Sequence, residues 1–164
     1  MHSLPSMDKW NKDFPEVVNT INQTHKDRVA WDFMGMPRHL AAKMRSDNVC
    51  VRKEFSLPVR DFLAGVDVFL FFVSWNREEA WARSVAEAMT TGCPIITTGK
   101  GGNRDQVIHG NTGFLCEDIE DVIENCISLI ENAKLLAAMR SNAMRFSRQF
   151  TSDSVARRFL EFIQ

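Results

Sequence analysis

The sequence predicts an α/β fold, a parallel sheet flanked by helices and closed by three consecutive helices. Three observations predict it. Short apolar runs rich in β-branched and aromatic residues alternate with segments whose apolar residues recur at helical spacing. Polar or glycine-rich loops follow three of those runs, over residues 34–37, 74–79 and 99–102. Beyond residue 118 only helical spacing remains.

In chain order, residues 1–13 are polar, contain Pro5 and read as a loop. Phe14, Val17, Val18 and Ile21 then share one face of a helix that runs to about residue 25. Val29 and Trp31 alternate with polar neighbours, which predicts a strand over 28–33 ending in a glycine turn. A short helix follows over 39–45, then a mixed strand over 48–51. Pro58 suits the first turn of a helix over 58–64. Residues 66–73, Val-Asp-Val-Phe-Leu-Phe-Phe-Val, have the continuous pattern of a strand buried on both faces.

The helix over 83–91 stops at Gly92, and Pro94 opens a strand over 95–98. After the glycine turn come a short helix over 103–109, a tight turn over 109–113 and a strand at Phe114-Leu115. Ile119, Val122, Ile123, Ile127 and Ile130 mark the first closing helix, and Leu135, Leu136, Met139, Met144 and Phe146 the second. Thr151 or Ser152 caps the third. Ligands of such sheets bind beyond the carboxyl ends of the strands, where this topology gathers the three loops.

The 164 residues, 45% hydrophobic and 25% charged, suit one globular domain over 1–164. A net charge of −1 predicts neither nucleic acid nor an anionic membrane as partner. The one basic cluster (Lys43, Arg45, Arg52, Lys53, Arg60) is better read as a solvated face than as a nucleic-acid patch. Four cysteines show no Cys-x-x-Cys spacing and no accompanying histidine pattern, so no metal site is expected. Their apolar neighbours predict buried, reduced thiols and a cytoplasmic setting. No apolar signal core opens the sequence, and its longest apolar run is too short to span a bilayer. His25, His39 and His109 are scattered and read as solvent or turn residues.

Residues 79–102 carry the candidate chemistry. Glu79 and Glu87 bracket the start of a helix, with seven residues between them. Residues eight apart on a helix lie near one face, roughly 12 Å apart along the axis. That separation is too great for an acid and base acting on one bond, and suits one extended ligand held at two places. A carboxylate accepts hydrogen bonds from neighbouring sugar hydroxyls, and a helix start offers amides to an anion. The competing reading makes both glutamates surface charges, with Glu87 paired to Arg83 one turn away.

The ordered run Glu79 to Glu87, Glu87-Ala88-Met89, Gly92-Cys93-Pro94-Ile95-Ile96, Gly101-Gly102 and Gly110-Asn111-Thr112-Gly113-Phe114 resembles a known pattern. It is that of the carboxyl-terminal, donor-binding domain of family 4 glycosyltransferases, which have the GT-B fold. The resemblance covers most of the chain from about residue 28 and implies a Rossmann-like sheet. It also implies a retaining, hexosyltransferase-like enzyme that takes a UDP-, GDP- or ADP-sugar and needs no metal or other cofactor.

By that resemblance Glu87 binds the ribose hydroxyls, and Glu79, the catalytic candidate, orients the donor sugar near the reacting carbon. Trp81, Ala82 and Arg83 meet the diphosphate, with Gly101 and Gly102 in the adjoining turn. Lys9 matches the family's diphosphate-binding lysine, with Lys12 a rival; the partner arginine has no match. Ala82 stands where many relatives carry glycine, and tolerates that if its φ is negative. Arg83 either reaches phosphate or pairs with Glu87. Trp81 packs beneath the ligand loop or stacks on the ligand. Asp105, after the glycine pair, either has a site role or caps its own short helix.

The family's amino-terminal acceptor domain has no counterpart here. The chain thus reads as half an enzyme, whether truncated, encoded by a split gene or standing alone, and inactive without that partner. The alternative is a non-catalytic nucleotide-binding or interaction domain that kept the half-fold. A dehydrogenase is excluded by the absence of a Gly-x-Gly-x-x-Gly turn after the first strand.

Overall fold

The computed structural model describes residues 10–44 and 46–162, apart from the side chains of Arg158 and Phe162. Its elements are α1 (Phe14–His25), β1 (Trp31–Met34), α2 (Arg38–Ala41), β2 (Val49–Arg52), α3 (Val59–Ala64) and β3 (Phe69–Phe71). They continue with α4 (Arg83–Thr90), β4 (Ile95–Thr98), α5 (Asn103–Gln106) and β5 (Gly113–Cys116), and close with α6 (Ile119–Glu131), α7 (Ala133–Ser147) and α8 (Ser152–Phe162). The predicted loop over 1–13 lies outside the described residues up to Lys9; residues 10–13 are turns that lead into α1.

Every strand pairing is parallel, as the alternation of strands and helices predicts. Instead of one continuous sheet, the described strands form two, β1–β2 and β3–β4–β5. A shared core bridges them: Val17, Val18 and Ile21 of α1 join Phe33, Phe72, Ile96, Phe114, Val122 and Leu129 in one apolar cluster. A second cluster on the other face of β4 holds Ile95 against Val85, Ala88 and Met89 of α4.

Local chemistry sets the boundaries. Pro15 sits in the first turn of α1, where a missing N–H costs nothing. Gly92, at φ +81°, ends α4. Its N–H donates to the Met89 carbonyl at 3.0 Å, and that of Cys93 to the Ala88 carbonyl at 3.1 Å, which together satisfy two orphan carbonyls. Asp118 caps α6 by accepting from the Asp121 N–H at 2.8 Å, and Asn132 caps α7 by accepting from the Leu135 N–H at 3.0 Å.

Three expectations are corrected. The strand predicted over 66–73 shortens to Phe69–Phe71, and its side chains are only half buried. The reason is pairing: β3 has β4 on one side and no described strand on the other. Cys50 is exposed rather than buried, because β2 lies at the outer edge of a two-stranded ribbon; Cys93, Cys116 and Cys126 are buried as expected. His25 is not a free solvent residue, since its ring Nε2 meets Glu131 Oε1 at 3.0 Å and ties α1 to α6.

Candidate functional site

The loops that follow β3 and β4 meet beyond the carboxyl ends of those strands. The Gly102 N–H donates to the Glu79 carbonyl at 2.7 Å. A β-carbon on Gly102 would fall 1.8 Å from the Ala80 oxygen, and one on Gly101, at φ +59°, 2.4 Å from the Glu79 oxygen. The pair must be glycine because the Glu79–Ala80 backbone rests directly on it.

Gln106, fully buried at the end of α5, completes the clamp. Its Oε1 accepts from the Ala82 N–H at 2.9 Å, and its Nε2 donates to the Ala82 carbonyl at 2.9 Å. The start of α4 is thereby tied to the segment after β4. Ala82 has φ −91° and ψ 102°, an ordinary extended conformation in which its methyl group is accommodated.

This clamp shifts the anion donors along the chain. The Ala82 N–H is already occupied, and the Val85 N–H donates to the Ala82 carbonyl at 3.1 Å. The first-turn amides of Arg83 and Ser84 remain without an acceptor among the described residues.

The two glutamates occupy different settings. Glu79 precedes α4 by four residues in non-helical chain, so the helical spacing of roughly 12 Å does not apply to it. Its carboxylate lies 3.5 Å from the Arg77 guanidinium, and its side chain is 21% exposed. Glu87 lies on α4, half buried, and with Ser84 lines a groove of about 700 Å³ between β1 and β3. None of the described ion pairs links Arg83 to Glu87, and the Arg83 side chain is exposed.

Trp81 packs edge-on against Phe150, with ring centroids 5.1 Å apart, and keeps about half of its surface open. Lys9 lies outside the described residues, while Lys12 is exposed in the turn before α1. Asp105 makes no cap bond to its helix. Lys100 donates its ammonium to the Trp75 carbonyl and braces the loop after β3. Arg77, Ser84, Lys100 and Gln106 were not singled out from the sequence. The roles of Lys100 and Gln106 depend on which backbone groups the fold brings to them, and no spacing signals that. Among the described residues no three His, Cys, Asp or Glu side chains converge as a metal site, and no helix is long and apolar enough to cross a membrane.

A family model described as glycosyl transferases group 1 matches residues 38–146. The chain belongs to this family. The match contains every candidate site residue except Lys9 and its rival Lys12. The chain is 31% identical over 106 residues to trehalose synthase of Thermococcus litoralis, covering 64% of this chain and 25% of that protein. It is also 31% identical over 104 residues to N-acetyl-alpha-D-glucosaminyl L-malate synthase of Bacillus anthracis, covering 62% and 26%. This group 1 chain therefore matches about a quarter of the length of those relatives.

Anabaena HepE in complex with UDP superposes on it with a TM-score of 0.76 at 19% identity, covering 93% of this chain and 45% of that one. The carboxyl-terminal domain of a group 1 glycosyl transferase from Francisella tularensis superposes with a TM-score of 0.69 at 16% identity, covering 84% and 77%. These neighbours are GT-B glycosyltransferases, and the chain has the fold of their carboxyl-terminal half.

Proposed function

We propose that this chain is the donor-binding half of a retaining, hexosyltransferase-like glycosyltransferase of family 4. It holds a nucleoside-diphosphate sugar while the sugar passes to an acceptor with its anomeric configuration retained. An amino-terminal acceptor domain completes the cleft, and the setting is cytoplasmic. The observation that carries this reading is the clamped start of α4. Gly101, Gly102 and Gln106 fix the backbone of residues 79–82, so that a carboxylate, two unoccupied amides and a second carboxylate follow one another.

In this arrangement Glu87 accepts hydrogen bonds from the ribose hydroxyls, and Glu79, steadied by Arg77, orients the sugar. The Arg83 and Ser84 amides, with the positive end of the helix, receive the diphosphate. Trp81, packed on Phe150, shapes the loop. Lys9 or Lys12 adds positive charge to the diphosphate. Such donors stabilise the departing diphosphate without a metal or other cofactor. The UDP in the HepE complex supports uracil as the first base to test.

Calorimetric titration of the chain with UDP, GDP and ADP tests the reading, and one of the three is expected to bind. Glu87→Ala is expected to weaken that binding about tenfold or more, since a hydrogen bond to a charged group contributes about 1.5–3 kcal/mol. Glu79→Ala is expected to spare the nucleoside diphosphate and weaken only the intact nucleotide sugar. A folded chain that binds none of the three refutes the proposal. The occupied Ala82 amide favours a second reading, a nucleotide-binding domain without catalysis. Binding without turnover in the presence of an acceptor domain would select it.

A further inference from the structure

Three described arginines are half buried, Arg52, Arg77 and Arg140, with side chains between 33% and 38% exposed. Two of them are satisfied by carboxylates. Arg52 donates to Asp32 at 2.8 Å, and Arg140 to Asp67 at 2.9 Å. The Arg77 guanidinium, by contrast, hydrogen-bonds to no described residue. It stands 3.5 Å from the Glu79 carboxylate, an ion pair longer than the usual hydrogen bond. A guanidinium has five N–H donors, and donors withdrawn from water without an acceptor cost free energy. Arg77 is thus a donor set left open beside a candidate site residue.

Its place is fixed by the fold. The Arg77 N–H donates to the Ser74 carbonyl at 2.8 Å and closes a turn over residues 74–77. The Lys100 ammonium donates to the Trp75 carbonyl within that turn. Just beyond it, the Glu79 carbonyl accepts from the Gly102 N–H at 2.7 Å. The loop is therefore fastened to the segment after β4 on both sides of Arg77. A side chain carried on a braced backbone is presented at a defined position, and here that position adjoins Glu79. Glu78, the nearer acid in sequence, is exposed, and no described ion pair joins it to Arg77.

The chemistry of a guanidinium narrows what fills it. Its planar fork matches a carboxylate or phosphate through two parallel hydrogen bonds, and a neutral hydroxyl uses neither the charge nor the fork. In the proposed order the diphosphate meets the Arg83 and Ser84 amides, and the sugar meets Glu79. The anion within reach of Arg77 is then one that the sugar itself carries. In a uronic acid the carboxylate is borne by the ring carbon next to one that bears a hydroxyl. One edge of such a sugar offers hydroxyl donors to Glu79 and carboxylate acceptors to Arg77. The cation between them also offsets the repulsion of two neighbouring carboxylates.

We propose that Arg77, resting on the role proposed for Glu79, selects a donor whose transferred sugar is a uronic acid, by donating to that sugar's carboxylate. A hexose donor leaves the guanidinium as it stands in this structure, half buried and without an acceptor. A uronic acid donor fills it, and the difference between the two affinities is the selectivity.

Calorimetric titration with matched donors tests this. UDP-glucose is compared with UDP-glucuronic acid, GDP-mannose with GDP-mannuronic acid, and ADP-glucose with ADP-glucuronic acid, so that each pair differs at the carboxylate alone. In the pair whose nucleotide binds, the uronic acid form is expected to bind about tenfold more tightly or better, the scale of a hydrogen bond to a charged group. Arg77→Gln is expected to abolish that preference, and Arg77→Lys, which keeps the charge without the fork, to restore part of it. The thermal midpoint of each variant, and its titration with the nucleoside diphosphate alone, report that it is folded. Equal affinities within the binding pair overturn the proposal, as does a preference that survives Arg77→Gln. A variant that loses both members of the pair alike overturns it too, because Arg77 then acts only by holding Glu79. Those results leave the donor-binding reading standing, whereas a folded chain that binds none of UDP, GDP and ADP refutes both.

Discussion

In β4 all four side chains are buried, whereas in β3, the adjacent strand, all three are only half buried. Both begin with large apolar residues, Ile95 and Ile96 in one and Phe69, Leu70 and Phe71 in the other, and β4 even buries Thr97 and Thr98. The difference lies in their neighbours. β4 is hydrogen-bonded on both sides and sandwiched between two apolar clusters, while among the described residues β3 is paired on one side only. The candidate site inherits the contrast. Its Glu79 end rests on the glycine turn after β4 and is clamped, and its Glu87 end opens on the groove beside β3. Apolar sequence thus supplies the tendency to be buried, and the number of flanking elements determines how far burial proceeds.

Substitution within the two strands tests this most strongly. Ile96→Ala is expected to cost about 3 kcal/mol, the usual range for a large buried aliphatic side chain. Leu70→Ala, on the open side, is expected to cost about 1 kcal/mol. Urea unfolding compares the two, and equal losses would mean that β3 is enclosed in solution as fully as β4. A loss between those two, about 2 kcal/mol, is expected from Gly102→Ala, whose methyl group must displace the Ala80 carbonyl. The same measurement applies, and nucleotide affinity should fall with it.

Gln106→Leu leaves the Ala82 N–H and carbonyl without partners and is expected to cost about 1–2 kcal/mol. If unfolding is unchanged, the clamp is not what holds the Glu79 loop.

The smallest effect is on thiol chemistry. Burial pushes the Cys116 thiol up to about 12 and raises those of Cys93 and Cys126 as well. A raised thiol stays protonated below its own pKa, so at pH 8 these three are neutral as well as enclosed. One fast-reacting thiol per native chain is therefore expected with a disulfide reagent, Cys50, and four after unfolding. A second fast thiol would show that the core opens.

Much of this was legible in the residues. Period and punctuation placed thirteen strands and helices close to where they lie, because residues such as Pro58, Gly92 and Pro94 act within one turn of their own positions. The run from Glu79 to Glu87 named the candidate residues, but the helical spacing read between the two carboxylates does not hold, because Glu79 lies in non-helical chain. The sequence did not reveal that Gln106 occupies the Ala82 peptide, that Arg77 faces Glu79, or that Trp81 leans on Phe150. The Gln106 and Trp81 contacts join residues 24 and 69 positions apart, and no local pattern encodes such meetings.

By itself, then, the sequence determined the alternation of strands and helices, the helix ends and the motif that names Glu79 and Glu87. Each depends on interactions between residues a few positions apart. Only the tertiary structure decided that, among the described residues, the strands form two sheets, β3 is paired on one side, and the first-turn amides of Arg83 and Ser84 lack acceptors. These depend on which distant groups reach a given backbone, and that is settled by packing.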